Sequence, residues 1–324
     1  MTARWLGAAA QVVRRHQLWY PEGADPSLDR SGHVRAASGL AWLGTTSPQL
    51  VVAQDDTSFL ALLDEQANVT GAITLDHAVD ARRVFEGRLG NKKHKLDLES
   101  CARLPDGRVL VVGSGSLPAR ERVVLVDGRG ASIAPLPALY AELREMTAFA
   151  GSELNVEGAA VLGDHLVLAN RGNGARTEHL TAVDALLELP LAGLLAHLAG
   201  GPPPAFGMVR PFDLGAIDGI RLTFTDLCAR HPDGPLYFLA SAEASPNAVD
   251  DGAVVGTAIG RIDGQIASVV QLHDVDGARL TDKIEGLAWA RPDGTGDRAY
   301  VVVDRDDPDL PSECLTIVLP PALL

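Results

Sequence analysis

The sequence repeats itself about every sixty residues, and each repeat contains a similar short segment. A fixed period of this length is typical of propeller and solenoid proteins, in which each repeat is one structural unit. The five segments span residues 37–42, 97–102, 155–160, 225–229 and 283–289. Aligned on their acidic residues, they place one polar residue of each repeat in a single column: Ser38, Glu99, Glu157, Asp226 and Glu285.

Each segment is followed by a turn and then by a short apolar run. The turns include Pro105-Asp106-Gly107 and Pro292-Asp293-Gly294, in which Pro restricts φ and Gly permits a positive φ. The runs at 109–112 and 300–303 are rich in β-branched residues, as expected of buried strands. Further apolar segments predict an outer strand in four repeats, near Ile73, Ile133, Val209 and Val269. Two helical segments are also predicted, at 138–146 and 186–198.

The last repeat ends at Leu324 without an outer strand of its own. Residues 11–18 near the N-terminus resemble the outer strand at 268–273, so we expect them to pair with the strand at 315–319. Closing the last blade in this way removes exposed strand edges. The sequence therefore predicts an all-β fold, a five-bladed β-propeller that forms a single domain over residues 1–324. Six blades would require a repeat that the sequence does not show.

Composition excludes several classes of protein. The net charge of −14 opposes binding to nucleic acid. No apolar run reaches the ~18 residues that a membrane span needs, so no membrane association is expected. Three cysteines without a CxxC pair argue for a reducing compartment, and the N-terminus does not resemble a signal peptide. These features predict a cytoplasmic protein; the oligomeric state is not indicated.

In a propeller, the residues before each inner strand and those after the second strand of the blade meet at one face. This rule gathers a set of charged and amide side chains above the acidic column: Lys95, Asn170, Arg171, Lys283, Asp304 and Arg305. The Pro-Asp-Gly turns are expected at the opposite face, with a structural role only.

Clustered carboxylates repel one another by about 4 kcal/mol per pair at an effective dielectric near 20. A hard cation such as Ca²⁺, with Mg²⁺ or Mn²⁺ as alternatives, would relieve this repulsion. Its predicted ligands are the five column residues, Ser38, Glu99, Glu157, Asp226 and Glu285. Two alternatives remain open: ion pairs with Lys95, Lys283 and Arg171, or an unneutralised polar channel.

The segments Ile284-Glu285-Gly286-Leu287-Ala288 and Val156-Glu157-Gly158-Ala159 resemble the inner-strand motif of phytase-like and related uncharacterised bacterial propellers. The column also resembles that of the calcium-activated nucleotidases, or apyrases. That resemblance implies a five-bladed propeller with a central calcium ion that assists hydrolysis of nucleoside diphosphates.

Two functions follow from these observations. The first is a metal-dependent hydrolase of a phosphoester or related anionic ester, in which Asp304 is the general base and Lys95 and Arg171 contact the substrate. Asn170, Lys283 and Arg305 would then bind the same small anionic ligand. The second is a non-catalytic propeller that binds a ligand or a protein at this face. The sequence does not decide between an enzyme and a binding protein.

Overall fold

The computed structural model describes residues 1–245, 247 and 252–324. These residues form twenty-one strands and three α-helices. The strands are β1 Arg4–Gln17, β2 Ala37–Leu43, β3 Gln49–Gln54, β4 Phe59–Leu63, β5 Val69–Thr74, β6 Leu98–Arg103, β7 Val109–Gly113, β8 Arg122–Asp127, β9 Gly130–Pro135, β10 Val156–Leu162, β11 His165–Asn170, β12 Asp184–Pro190, β13 Val209–Phe212, β14 Ala216–Ile217, β15 Ile220–Ala229, β16 Leu236–Glu243, β17 Val254–Asp263, β18 Ile266–His273, β19 Lys283–Trp289, β20 Arg298–Asp304 and β21 Glu313–Val318. The helices are α1 Pro137–Glu145, α2 Thr147–Ala150 and α3 Leu191–Leu198.

The strands form antiparallel meanders. Three sheets contain four strands each, in the orders β2-β3-β4-β5, β6-β7-β8-β9 and β10-β11-β12-β13. A nine-stranded sheet has the order β14-β15-β16-β17-β18-β1-β21-β20-β19. The predicted outer strands near Ile73, Ile133, Val209 and Val269 correspond to β5, β9, β13 and β18. The all-β prediction is confirmed.

The N-terminal strand has two partners. It pairs antiparallel with β21, from Gln11 opposite Val318 to Gln17 opposite Glu313, which confirms the predicted pairing. It also pairs parallel with β18, where Arg4 lies opposite Ser268. The sequence did not predict this second seam, which joins two meanders into the nine-stranded sheet.

The first strands of the meanders close around an axis. Strand β2 contacts β6, β6 contacts β10, β10 contacts β15, β15 contacts β19, and β19 contacts β2. Glycines permit this approach: a Cβ at Gly39 would lie 2.8 Å from the Cα of Ser100, and one at Gly286 would lie 2.8 Å from the backbone of Gly39. Backbone packing of this kind around a central axis is the arrangement of a β-propeller.

The helical predictions were only partly correct. Helix α1 occupies most of the predicted segment 138–146. The predicted helix at 186–198 begins only at Leu191, because residues 184–190 form strand β12 instead. A short apolar run does not distinguish a buried strand from a buried helix, and here pairing with β11 decides. Among the described residues, no helix is long and apolar enough to cross a membrane.

Candidate functional site

A cavity of about 370 Å³ opens where the inner strands begin. Among the described residues, its lining contains eleven carboxylates and seven Lys or Arg side chains. Lys95, Asp97 and Glu99 all line the cavity. Lys95 and Asp97 lie in the loop before β6, where Asp97 has a positive φ of 53°, and Glu99 is the second residue of the strand. Lys283 and Glu285, which are two residues apart in β19, line the cavity as well.

A β-bulge at the column position aims the acidic side chains at the axis. The register shifts across Glu99 in β6, across Glu157 in β10 and across Glu285 in β19. A bulge leaves one residue without a cross-strand partner and redirects its side chain. These three carboxylates therefore lie together in the cavity.

The fourth repeat departs from the predicted column. In β15 the register shifts between Phe224 and Asp226, so the bulged residue is Thr225. Asp226 pairs with Leu239 and occupies the position that Gly158 has in β10, where Gly158 pairs with Ala169. A slip of one residue changes where a side chain points.

Asp226 makes a contact between inner strands instead of lining the cavity. Its carboxylate accepts a hydrogen bond of 2.7 Å from the backbone N–H of Leu287 in β19. Burial raises the pKa of Asp226 well above its usual value. Ser38 is also engaged between strands, because its hydroxyl donates to the carbonyl of Leu98. Of the five predicted metal ligands, the structure thus brings together Glu99, Glu157 and Glu285.

Two groups of carboxylates share Glu99. The first group adds Asp55 and Asp97, and the second adds Glu157 and Glu285; within each group, ligand oxygens lie within 4.8 Å of one another. The two groups differ in how their charge is compensated.

The first group encloses a lysine. The Nζ atom of Lys95 lies 2.6 Å from Asp55 and 2.5 Å from Asp97, and Arg120 lies 2.8 Å from Asp97. Burial alone would raise the pKa of Asp97, but Lys95 and Arg120 hold it at about 2. Burial would likewise lower the pKa of Lys95, yet Asp55 and Asp97 raise it well above its usual value. Lys95 and Arg120 therefore compensate Asp97, whereas burial and the neighbouring acids Asp304 and Asp97 still raise the pKa of Asp55 despite its contact with Lys95.

The second group has only distant cations. Arg171 lies 3.6 Å from Glu157, and Lys283 lies 3.8 Å from Glu285. Among the described residues, the buried Oε1 of Glu285 has no hydrogen-bond partner. Burial and neighbouring carboxylates raise the pKa of Glu99 well above its usual value. Burial, partly opposed by Lys283, does the same for Glu285.

The remaining predicted residues divide into two sets. Lys95, Arg171, Lys283 and Asp304 line the cavity, as expected for the active face. Arg171, which was predicted to contact the substrate, is however only 4% exposed and is ion-paired with Glu243. Its charge is therefore largely committed to the fold.

Asn170 and Arg305 do not line the cavity. The amide of Asn170 accepts a hydrogen bond from the N–H of Asn155 at 2.8 Å. Gln54 accepts the same type of bond from the N–H of Arg35, so this amide contact recurs in two repeats as part of the fold. Arg305 lies in ion pairs with Asp282 and Glu313.

Asp55, Asp97 and Glu243 line the cavity but were not among the predicted site residues. Asp97 precedes the column acid by two residues, but it lies before β6 with a positive φ, so strand alternation does not explain its place in the cavity. Asp55 and Glu243 lie at or just after the end of a second strand. They were among many polar residues at that position, and nothing in the sequence distinguished them.

Residues 33–319 match a family of unknown function, DUF6929. The chain belongs to this family. No curated protein sequence matches it. The predicted resemblance to an uncharacterised propeller family is thus confirmed, whereas the likeness to phytase-like propellers and to nucleotidases remains a prediction.

Solved structures that are similar to this DUF6929 chain are distant from it in sequence. Regucalcin, a calcium-binding protein from Agrobacterium tumefaciens, is 11% identical; 97% of this chain and 98% of that chain are covered, with a TM-score of 0.43. Virginiamycin B lyase from Staphylococcus aureus is 10% identical, with 95% and 99% covered and a TM-score of 0.42. The PQQ-bound aldose sugar dehydrogenase from Streptomyces coelicolor is 12% identical, with 96% and 98% covered and a TM-score of 0.42. At these TM-scores, we draw no argument from the similarities.

The donor atoms of the second carboxylate group suit a hard cation. Two oxygens that each lie about 2.4 Å from one Ca²⁺ ion can be at most about 4.8 Å apart, and the three carboxylates satisfy this limit. The described cavity lining contains neither His nor Cys, the side chains that favour zinc.

Proposed function

We propose that the five meanders are the blades of a single five-bladed propeller domain over residues 1–324, and that its polar mouth binds a divalent cation. The ion would lie among Glu99, Glu157 and Glu285. The observation that carries this proposal is the contrast between the two carboxylate groups. Lys95 is in direct contact with two acids of the first, whereas the second has three buried carboxylates and an unsatisfied Glu285 oxygen.

We further propose that the cation serves hydrolysis of a small phosphoester or related anionic ester. A bound divalent ion would supply Lewis acidity toward an ester oxygen. Lys283 and Asp304 lie beside the carboxylate group, with Nζ 3.5 Å from a carboxylate oxygen of Asp304. Lys283 would hold an anionic substrate oxygen, and Asp304 would accept the proton of an attacking water. The cavity is large enough for a small substrate only.

Ion binding can be measured directly on protein stripped with chelator. We expect calorimetric titration with Ca²⁺, Mg²⁺ and Mn²⁺ to detect one ion per chain, and Glu157→Gln or Glu285→Gln to weaken binding at least about tenfold. Asp307→Asn is the matched control, because Asp307 lines the same cavity but is exposed. Equal affinities in all four proteins, or no ion bound to the wild type, would refute the metal site.

Turnover is tested separately with p-nitrophenyl phosphate, bis(p-nitrophenyl) phosphate and p-nitrophenyl acetate, with and without each ion. The hydrolase proposal predicts ion-dependent turnover that Asp304→Asn abolishes while ion affinity persists. Ion binding without turnover of any ester would refute the hydrolase.

A non-catalytic binding propeller is the second candidate. The observation that favours it is that Arg35, Lys95, Arg120 and Arg171 are all buried and ion-paired within the fold. Cations that are held in this way are less available to follow charge development in a reaction. In this case the ion would help to bind a small anionic ligand without transforming it.

A further inference from the structure

A second cavity lies at the other ends of the inner strands. Its volume is about 580 Å³, and its wall comes from the second halves of β2, β6, β10, β15 and β19. Most of the lining is apolar, including Trp42, Leu104, Val161, Leu227 and Trp289. The adjoining turns complete the rim, among them the Pro-Asp-Gly turns to which sequence analysis assigned a structural role only.

The floor of this cavity is uncharged. Cys101 and Cys228 line it, and burial raises the pKa of both thiols, that of Cys228 to about 12. Neither thiol is therefore a nucleophile near neutral pH. The cavity is suited to binding an apolar group and not to thiol chemistry.

Two arginines at the rim differ from the buried cations of the acidic cavity. Arg103 donates to the carbonyls of Pro292 and Gly44, at 2.9 and 3.0 Å. Arg230 donates to the carbonyls of Gly294 and Gly296, at 3.1 and 2.8 Å. These bonds use two of the five N–H donors of each guanidinium. Among the described residues, neither arginine has a carboxylate partner within ion-pair distance.

The two guanidinium groups flank one turn. Pro292 and Gly294 belong to the same Pro-Asp-Gly turn, so Arg103 and Arg230 bracket it. The guanidinium of Arg230 also lies 4.5 Å from the centre of the Trp289 ring, which is part of the apolar wall. The rim carboxylates Asp233 and Asp293 are exposed, and Asp293 accepts hydrogen bonds from Thr295. Solvent therefore screens them more than it screens the half-buried Arg103 and Arg230.

We propose that this cavity is a second ligand site, which binds a small carboxylate with an apolar body. The apolar body would lie against the inner-strand side chains, and the carboxylate would accept the remaining N–H donors of Arg103 and Arg230. Arginine pairs with carboxylates through parallel, charge-assisted hydrogen bonds. The exposed Arg291 also lines the cavity, so three arginines supply positive charge at this rim, although the chain as a whole carries a net charge of −14.

Octanoate and octan-1-ol are suitable probes, since they share an aliphatic chain and differ in charge. Binding is followed by calorimetry and by the fluorescence of Trp42 and Trp289. We expect octanoate to bind at least about tenfold more tightly than octan-1-ol, and Arg230→Gln to remove that preference while Arg230→Lys keeps most of it. Arg103→Gln should also weaken octanoate binding. Naphthalene-2-carboxylate, compared by calorimetry, shows whether an aromatic body is preferred.

The matched control is Arg108→Gln. Arg108 is ion-paired with Asp106 in the Pro-Asp-Gly turn that follows β6, and it does not line the cavity. The Arg108→Gln variant should bind octanoate with the affinity of the wild type. Chelator should not change the affinity for octanoate, which distinguishes this site from the metal site. Melting curves verify that each variant is folded. The proposal would be overturned if octanoate and octan-1-ol bound with equal affinity, or if Arg230→Gln kept the wild-type preference for octanoate. It would also be overturned if millimolar octanoate did not saturate the protein.

Discussion

The two carboxylate groups that share Glu99 lie in one cavity but differ in how closely Lys and Arg side chains approach them. Both groups are built from acids at the start of inner strands or at the end of second strands. In the first, Lys95 is in direct contact with Asp55 and Asp97. In the second, the nearest cations are 3.6 and 3.8 Å away and are shared with other acids. The first group therefore has cations in direct contact with two of its acids, although the pKa values of Asp55 and Glu99 are still raised. The second group has no cation in direct contact, so protons or a bound cation must compensate more of its charge.

The largest effect should come from removing the internal cation of the first group. Lys95→Met leaves Asp55 and Asp97 buried without their ammonium partner, and breaking a buried pair costs about 3–5 kcal/mol. Urea unfolding measures the loss. Lys92→Met is the control, because Lys92 is exposed in the same loop and should change stability by no more than about 0.5 kcal/mol. Similar stabilities for the two variants would mean that the two groups do not differ as described.

The second group should respond to ions in the opposite sense from the first. An ion at one hundred times its dissociation constant stabilises the folded protein by about 2.7 kcal/mol. An affinity that is about tenfold weaker in Glu285→Gln should remove about half of this gain. The same substitution should raise the melting temperature in chelator, since it removes a buried carboxylate that is short of compensation. Thermal melts with Ca²⁺ and with chelator provide the measurement. A Glu285→Gln protein that is less stable than wild type in chelator would show that Lys283 already compensates this group.

The pH dependence of stability should distinguish Asp97 from the cavity carboxylates whose pKa values are raised, such as Glu99 and Glu285. Raised folded-state pKa values favour the protonated folded state. One of them is that of Asp56, at about 7 against an ordinary 3.8; Asp56 lines the cavity in an ion pair with Arg35 and belongs to neither group. The stabilisation from raised pKa values is complete below pH 4 and is lost as the pH rises toward 7, at about 1.4 kcal/mol per pKa unit. Asp97, with a pKa of about 2, acts in reverse and loses its contribution as the pH falls from about 4 to 2.

We therefore expect melting temperatures in chelator to fall between pH 5 and pH 7. Divalent ions should oppose this fall, because a cation binds the deprotonated carboxylates of the second group. The gain in melting temperature on adding Ca²⁺ should thus increase with pH. A gain that is constant over this range would argue against ion binding by carboxylates with raised pKa values.

The smallest effect should come from the residue that the sequence placed in the column and the structure did not. Asp226→Asn retains an oxygen that can accept from the N–H of Leu287, so ion affinity should change by less than about twofold. Glu157→Gln provides the comparison within the same calorimetric series. A loss of affinity in Asp226→Asn as large as in Glu157→Gln would restore Asp226 to the ligand set.

The sequence predicted the architecture better than the site. Strands, turns and the antiparallel partner of β1 could be inferred because alternation, Pro-Asp-Gly turns and the repeat all act locally or recur. The position of the bulge in β15 could not be inferred from the sequence. Thr225 and Asp226 are neighbours, and alignment on the acid assigned Asp226 to the column position that Thr225 occupies. Whether a side chain such as Arg171 is exposed or paired depends on contacts with another repeat, here with Glu243, which no single segment reveals.

The double pairing of β1 bears on how the chain matures during synthesis. Residues 4–17 are synthesised before the other strands, yet their antiparallel partner β21 lies about three hundred residues further along the chain. Bringing such distant segments together is entropically costly and slow. Strand β18, however, is complete before β19 emerges, and its parallel edge can receive β1 at that stage. Parallel pairing with β18 thus holds β1 in position until β21 is synthesised and pairs with its other edge.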